Sequence, residues 1–153
     1  VPAGPDDPAA GQGRGIGRIG HLPTPMTLAE LTAYAARVLP PTAWGVRAAG
    51  EPDRLVRTVA VSGGAGDSYL ADAERAGVDA YLTADLRHHP VSEHLAGGGP
   101  ALLDAAHWAT ERPWLDDVAA HLAAALPVTA TASDLVTDPW TVHHASPPLK
   151  ETP

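Results

Sequence analysis

The sequence predicts an α/β domain, a layered mixed sheet flanked by helices. Three observations carry this. The apolar runs at Val59-Ala60-Val61, Ala80–Thr83 and Ala101-Leu102-Leu103 are of strand length, and each is flanked by a polar residue, Ser62, Asp79 and Asp104 in turn. Stretches of helical apolar spacing fall between them, so strands and helices alternate along the chain. At 153 residues the chain has the length of one compact domain.

Residues 1–14 are mostly Pro, Gly, Ala and Asp, a composition that buries little and reads as a disordered start. A chain opening on such a stretch looks like the second part of something longer. Gly15-Ile16-Gly17-Arg18-Ile19-Gly20 fits the letters of a dinucleotide fingerprint, but no strand precedes it and Pro23 and Pro25 follow where a helix should open. An extended glycine-rich segment is expected instead. Thr27 with Glu30 makes a capping box, and Leu28, Leu31, Ala35, Val38 and Leu39 keep a helical period up to Pro40-Pro41. Trp44–Ala48 reads as extended, Gly50–Asp53 as a turn and Leu55–Val61 as a strand. Ser62–Gly66 reads as a loop into a helix at Ser68–Ala76, followed by a strand at Ala80–Thr83 and a short helix at Pro90–Ala96. Ala101–Leu103 is the next strand, Trp114–Leu126 a long helix, Val128–Ala132 a further strand, and Thr141-Val142 an edge strand. The domain is thus expected over residues 15–143, with a disordered tail at 144–153.

Composition removes several functions. A formal charge of −8, with ten Lys and Arg that do not cluster, argues against nucleic acid and anionic membrane as partners. No cysteine is present, which excludes disulfides, thiolate metal sites and a Cys nucleophile. No apolar run approaches twenty residues and no signal-peptide pattern stands at the start, so a soluble, cytoplasmic protein is expected. No G-x-S-x-G elbow supports a serine hydrolase.

Chemistry concentrates in Asp104-Ala-Ala-His107-Trp-Ala-Thr-Glu111, directly behind the apolar run ending at Leu103. If residues 107–111 are helical, His107 and Glu111 share one face. A neutral imidazole and a carboxylate suit a divalent ion such as zinc, manganese or iron, and the far side of a strand's carboxyl end is where open α/β sheets bind ligands. The same spacing also fits a surface His and Glu near a helix start. Asp104 is expected to orient a liganded His107. Asp85, His88 and His89 form a second cluster of possible ligands or acid–base groups, provided the chain turns near Pro90. The Ser62–Gly66 loop is either an anion cradle or a tight turn, and it lacks the Lys-Ser/Thr ending of a P-loop. His94 and His121 are expected to be solvated, and His143 and His144 to make at most adventitious metal contacts.

Several segments together resemble the Nif-three-like dinuclear metal centre family, the GTP cyclohydrolase 1 type 2 homologs. They are Gly15–Gly20 followed by Pro25-Met26-Thr27-Leu28, then Val59–Gly66, Tyr81–Asp85 with His88-His89, Asp104–Glu111, and Thr137-Asp138-Pro139-Trp140, in the family's order over about residues 15–142. The resemblance implies one lobe of a two-lobed fold, with two divalent ions held between the lobes of each chain in a toroidal homohexamer. It carries metal ligation only to His107 and Glu111. The family's other ligands, in a His-His-Pro segment and a later Asp, belong to its first half. His88-His89-Pro90 matches that segment in letters but corresponds by order to the second lobe, so His88, His89, Asp85 and Asp104 are expected to line the site. The chain therefore looks like a C-terminal half, a fragment whose missing partner is the N-terminal half of the same protein. The expected function is that of a metal-binding piece of a metal-dependent hydrolase, weak in metal affinity and inactive by itself. A complete site would deliver hydroxide to a purine C8, as opening the GTP ring requires, or to another activated ester or amide. The competing reading is a non-catalytic oligomeric metal-binding or interaction module. A third is an anion or nucleotide sensor built on the Ser62–Gly66 loop.

Overall fold

The computed structural model describes residues 15–147, and the expected disordered start at 1–14 and the last residues of the expected tail lie outside them. Five strands form one sheet in the order β1-β3-β4-β5-β2. They are β1 (Arg18–Thr27), β2 (Val46–Ala49), β3 (Leu55–Ala65), β4 (Ala80–Ala84) and β5 (Ala101–Ala105). β3, β4 and β5 run parallel, while β1 and β2 are antiparallel edges, so the sheet is mixed as the sequence predicts. The helices are α1 (Leu28–Val38), α2 (Leu70–Arg75), α3 (His88–Ala96) and α4 (His107–Ala125). Among the described residues no helix is long and apolar enough to cross a membrane.

Period-two alternation divides the core into two layers. Ala80, Ala101 and Leu103 face α1, whose Leu28, Leu31 and Ala35 complete one cluster with Val56. Tyr81 and Leu102 point the other way, into a cluster with Leu70 and Ala73 of α2 and Leu86 ahead of α3. The α1 capping box forms as expected: Glu30 N donates to Thr27 Oγ1 and Thr27 N donates back to the Glu30 carboxylate at 2.8 Å.

Several boundaries differ from the sequence expectation. The glycine-rich segment starts a ten-residue strand, β1, whose pairing with β3 breaks between His21 and Met26. Pro23 and Pro25 occupy that gap, where their missing N–H groups interrupt the ladder. β3 continues through Ser62–Ala65 with a register shift against β4, so most of the expected loop is strand. The turn that follows is a single 3-10 turn leading into the six-residue α2. α3 opens at His88, ahead of Pro90, which then sits in a first turn where no N–H is needed. α4 opens at His107 rather than Trp114 and runs through Pro113. Val128–Ala132 and Thr141-Val142 form no strands. Val128 and Val142 are largely exposed, and an apolar run without a ladder partner has no reason to stay extended in a sheet.

Asp79 ties β3 to β4 and supplies a first prediction. Its Oδ2 accepts from Arg57 N at 2.8 Å, Thr58 N at 2.9 Å and Thr58 Oγ1 at 3.0 Å. Partial burial pushes its pKa up, but the three donors outweigh that and hold it below 3.8. A depressed carboxyl contributes stability above its unfolded pKa that is lost as pH falls through the folded value. Asp79→Asn is therefore expected to cost about 1–3 kcal/mol near neutral pH. In urea denaturation the gap from wild type should close as the pH drops below about 4. A gap that stays constant with pH would exclude the carboxylate as the acceptor.

Candidate metal centre

The parallel strands end together at Ala65, Ala84 and Ala105, on the edge of the sheet where ligands bind in open α/β folds. The chain beyond β5 turns directly into α4, so His107 is the first helical residue and Glu111 stands one turn further on the same face. The His107 Nε2 and Glu111 Oε1 atoms lie 3.2 Å apart, and both side chains are about half exposed.

Asp85 fixes the ring from the other side. Its Oδ2 is 2.6 Å from His107 Nδ1, so an Nδ1–H donated there leaves Nε2 facing Glu111. Asp85 follows β4 directly and takes φ of 58°, the one positive φ outside glycine among the described residues. Asp tolerates this left-handed conformation better than most side chains. The hydrogen bond that His107 donates to Asp85 raises the His107 pKa above 6.5; partial burial opposes it, and the negative charges of Glu111 and Asp85 add to it. A raised histidine contributes stability that is complete below its unfolded pKa and is lost as pH rises through the folded one. Asp85→Asn keeps an oxygen for Nδ1–H, tolerates the same backbone and removes the charge. The His107 titration, followed by the NMR shift of its ring C–H, is expected to move down toward 6.5. An unchanged midpoint would show that Asp85 does not govern this imidazole.

Gly64 completes the arrangement from β3. At φ of 70° it adopts a backbone that side-chain-bearing residues rarely take, and a Cβ there would stand 2.8 Å from Glu111 Oε1 and 3.2 Å from His107 Nε2. Only glycine leaves the space at both donor atoms open. Two ligand atoms on a tetrahedral zinc are roughly 3.3 Å apart, given bonds of about 2.0–2.1 Å. The donor types and their separation thus fit a divalent first-row ion. Among the described residues no group of three or more His, Asp or Glu is arranged to hold a metal.

A cavity of about 490 Å³ opens at this edge, lined among others by Asp85, Asp104, His107, Glu111, Arg47 and Trp140. Asp104, expected to orient His107, does something else. Its buried carboxylate accepts from Arg47 Nε at 2.7 Å and from Leu86 N at 3.1 Å, which joins β2 to the turn after β4. The reason is position: Asp104 is still inside β5, paired in register with Thr83 and Arg47, whereas Asp85 lies past a strand end and can reach His107. The Arg47 guanidinium lies 4.7 Å over the Trp44 ring, and Trp140 packs against Trp44 with ring centroids 6.4 Å apart. Thr137–Trp140, one of the segments that carry the family resemblance, borders the same cavity.

His88 and His89 are not among the residues lining this cavity. They stand in the first turn of α3 with rings 5.2 Å apart, and His88 borders a smaller hollow of about 270 Å³ together with Arg47 and Asp104. His94, expected to be solvated, is half-buried with Nε2 3.2 Å from Pro100 O, while His121, His143 and His144 are exposed.

The family model described as Duf34/NIF3 (NGG1p interacting factor 3) matches residues 5–139. The GTP cyclohydrolase 1 type 2 homolog of Streptomyces coelicolor is 55% identical over 148 residues, which cover 93% of this chain and 52% of that protein. Its Mycobacterium tuberculosis counterpart is 53% identical over 136 residues, covering 86% of this chain and 35% of the relative. The chain therefore spans about half of the first of these relatives and about a third of the second. A solved Bacillus cereus protein described as related to NIF3 superposes with a TM-score of 0.68 at 30% identity, over 84% of this chain and 36% of that one. A Staphylococcus aureus structure gives 0.72 at 25% identity, over 84% of this chain and 42% of the other.

Proposed function

This chain belongs to the Duf34/NIF3 family, and from that premise we propose that His107 and Glu111 hold a divalent ion as part of a metal-dependent hydrolase of the GTP cyclohydrolase 1 type 2 kind. The observation that carries the reading is the 3.2 Å approach of His107 Nε2 to Glu111 Oε1 above a glycine that keeps the space open. Zinc sites use three or four protein ligands, so two leave an ion weakly held, and the remaining donors would come from outside the described residues. The chemistry such an ion supplies is a hydroxide nucleophile near neutral pH.

The chain's own residues orient the reaction around that point. Asp85 holds the His107 ring, directing Nε2 toward Glu111. Arg47, kept in place by Asp104, presents positive charge to the cavity for an anionic substrate. Trp140, with most of its surface exposed beside Trp44, offers an aromatic face to a planar ring such as a purine. The assembly proposed with this reading is a homo-oligomer, and a monomeric mass in light scattering would remove that part of it.

The two-donor set favours a second reading, a non-catalytic metal-binding or interaction module. Incubating the purified protein with GTP and manganese or zinc separates the two. Formate release that tracks metal occupancy supports the hydrolase, and occupancy without turnover supports the binder. Two tightly held ions per chain would overturn the partial donor set.

A further inference from the structure

Beneath the donor pair, where β3 lies against β4, three buried hydroxyls meet. Ser62 Oγ is 2.6 Å from Tyr81 OH and 3.1 Å from Thr83 Oγ1, and Thr83 Oγ1 donates to Gly64 O at 2.9 Å. Each hydroxyl has one proton to give. With Thr83 committed to Gly64 O, the short contacts are satisfied in one direction only: Tyr81 donates to Ser62, Ser62 to Thr83, and Thr83 to the carbonyl. The alternative bond from Tyr81 to Gly66 O is longer, at 3.3 Å. A chain of donors pointing one way polarises each successive bond and strengthens the last.

That last bond falls on the residue whose backbone lies against the metal donors. Gly64 N donates to Thr110 Oγ1 at 2.8 Å, and Thr110 Oγ1 donates to His107 O at 2.8 Å. The carbonyl of Gly64 is thus tied to β4 and its amide to α4. Having no side chain, Gly64 cannot be held by packing of its own, and its free backbone is fixed in place by these two hydrogen bonds.

We propose that Thr83 is a positioning residue for the candidate metal centre, acting through the Gly64 backbone to set the separation and aim of His107 and Glu111. This rests on the reading of those two side chains as donors. Thr83→Val keeps the shape, removes the hydroxyl and strands the Gly64 carbonyl. Thr83→Ser restores the hydroxyl alone.

The test is a Co²⁺ titration of the full 153-residue chain, with the dissociation constant and the visible d–d band as readouts and thermal melting beside them. Thr83 acts through Gly64 rather than on a donor directly, so Thr83→Val should bind several-fold more weakly than wild type, below the about 10–100-fold cost of losing a group hydrogen-bonded to a ligand. Its d–d band should also shift, and Thr83→Ser should return both readouts toward wild type. A role confined to stability would lower the melting temperature and leave constant and band unchanged; that result overturns the proposal. If Thr83→Val does not fold, Thr110→Val cuts the same glycine at its amide and carries the same expectation. A band that survives in His107→Ala would instead remove the donor reading, and the positioning role with it.

Discussion

Gly66→Ala is expected to destabilise the domain by about 3 kcal/mol, at the upper end of the usual cost of overpacking a core. A Cβ at this position would overlap Thr83 Oγ1 and Tyr81 OH and come within 2.6 Å of Thr83 Cβ. None of these groups can step aside, because Thr83 and Tyr81 are buried and committed to the hydroxyl chain that also involves Ser62. The backbone is not at issue, since Gly66 has φ of −110°, which alanine accepts. Over a domain of this size the loss corresponds to a melting temperature lower by roughly 6–12 °C. Gly20→Ala serves as the control, because nothing lies within 4 Å of a Cβ there. Equal melting temperatures for the two variants would mean that the β3–β4 junction is not packed as described.

That junction was the part of the fold least legible in the sequence. Val59-Ala60-Val61 announces a strand, but nothing local distinguishes Ser62–Ala65 from a glycine-rich loop. The continuation of β3 depends on hydroxyls supplied by β4, a tertiary contact with no local sequence signature. β1 was obscured by its prolines, and the expected start of α4 at Trp114, directly after Pro113, fell short because the helix runs through that proline from His107. Elements whose signals are local came through intact. The α1 cap depends on Thr27 and Glu30 alone, and the parallel strands on their apolar runs.

The candidate site divides in the same way. The spacing of His107 and Glu111 on one helix face is a local fact, and it was legible. The partner of His107 is not local: the residues nearest in sequence point to Asp104, whereas the fold brings Asp85 to the ring. A signal existed nonetheless. Two aspartates stand at the ends of adjacent apolar runs, and the parallel register pairs Ala84 with Ala105. Asp85 is thereby carried past the strand ends beside the start of α4, while Asp104 remains one residue inside and turns to Arg47. Register, rather than residue type, decides which aspartate meets the imidazole.

His107→Ala should have the largest effect on metal binding and almost none on the fold. Losing an outer partner of a ligand costs about 10–100-fold, so deleting a donor is expected to weaken zinc binding by at least about 100-fold. Stability should change little, because the side chain is about half exposed and its hydrogen bond to Asp85 lies at the surface. Isothermal titration with zinc gives the first quantity and urea denaturation of the metal-free protein gives the second. The paired variant His88→Ala/His89→Ala discriminates between clusters, since those rings lie on α3 and do not line the His107 cavity. If zinc binding survives loss of His107 and disappears with His88 and His89, the ion belongs to the start of α3. The approach of Nε2 to Glu111 would then be only an ion pair on one face of α4, formed when His107 is protonated. If His107→Ala alone abolishes binding, Glu111→Gln should show an intermediate loss, because the amide keeps an oxygen at that position without its charge.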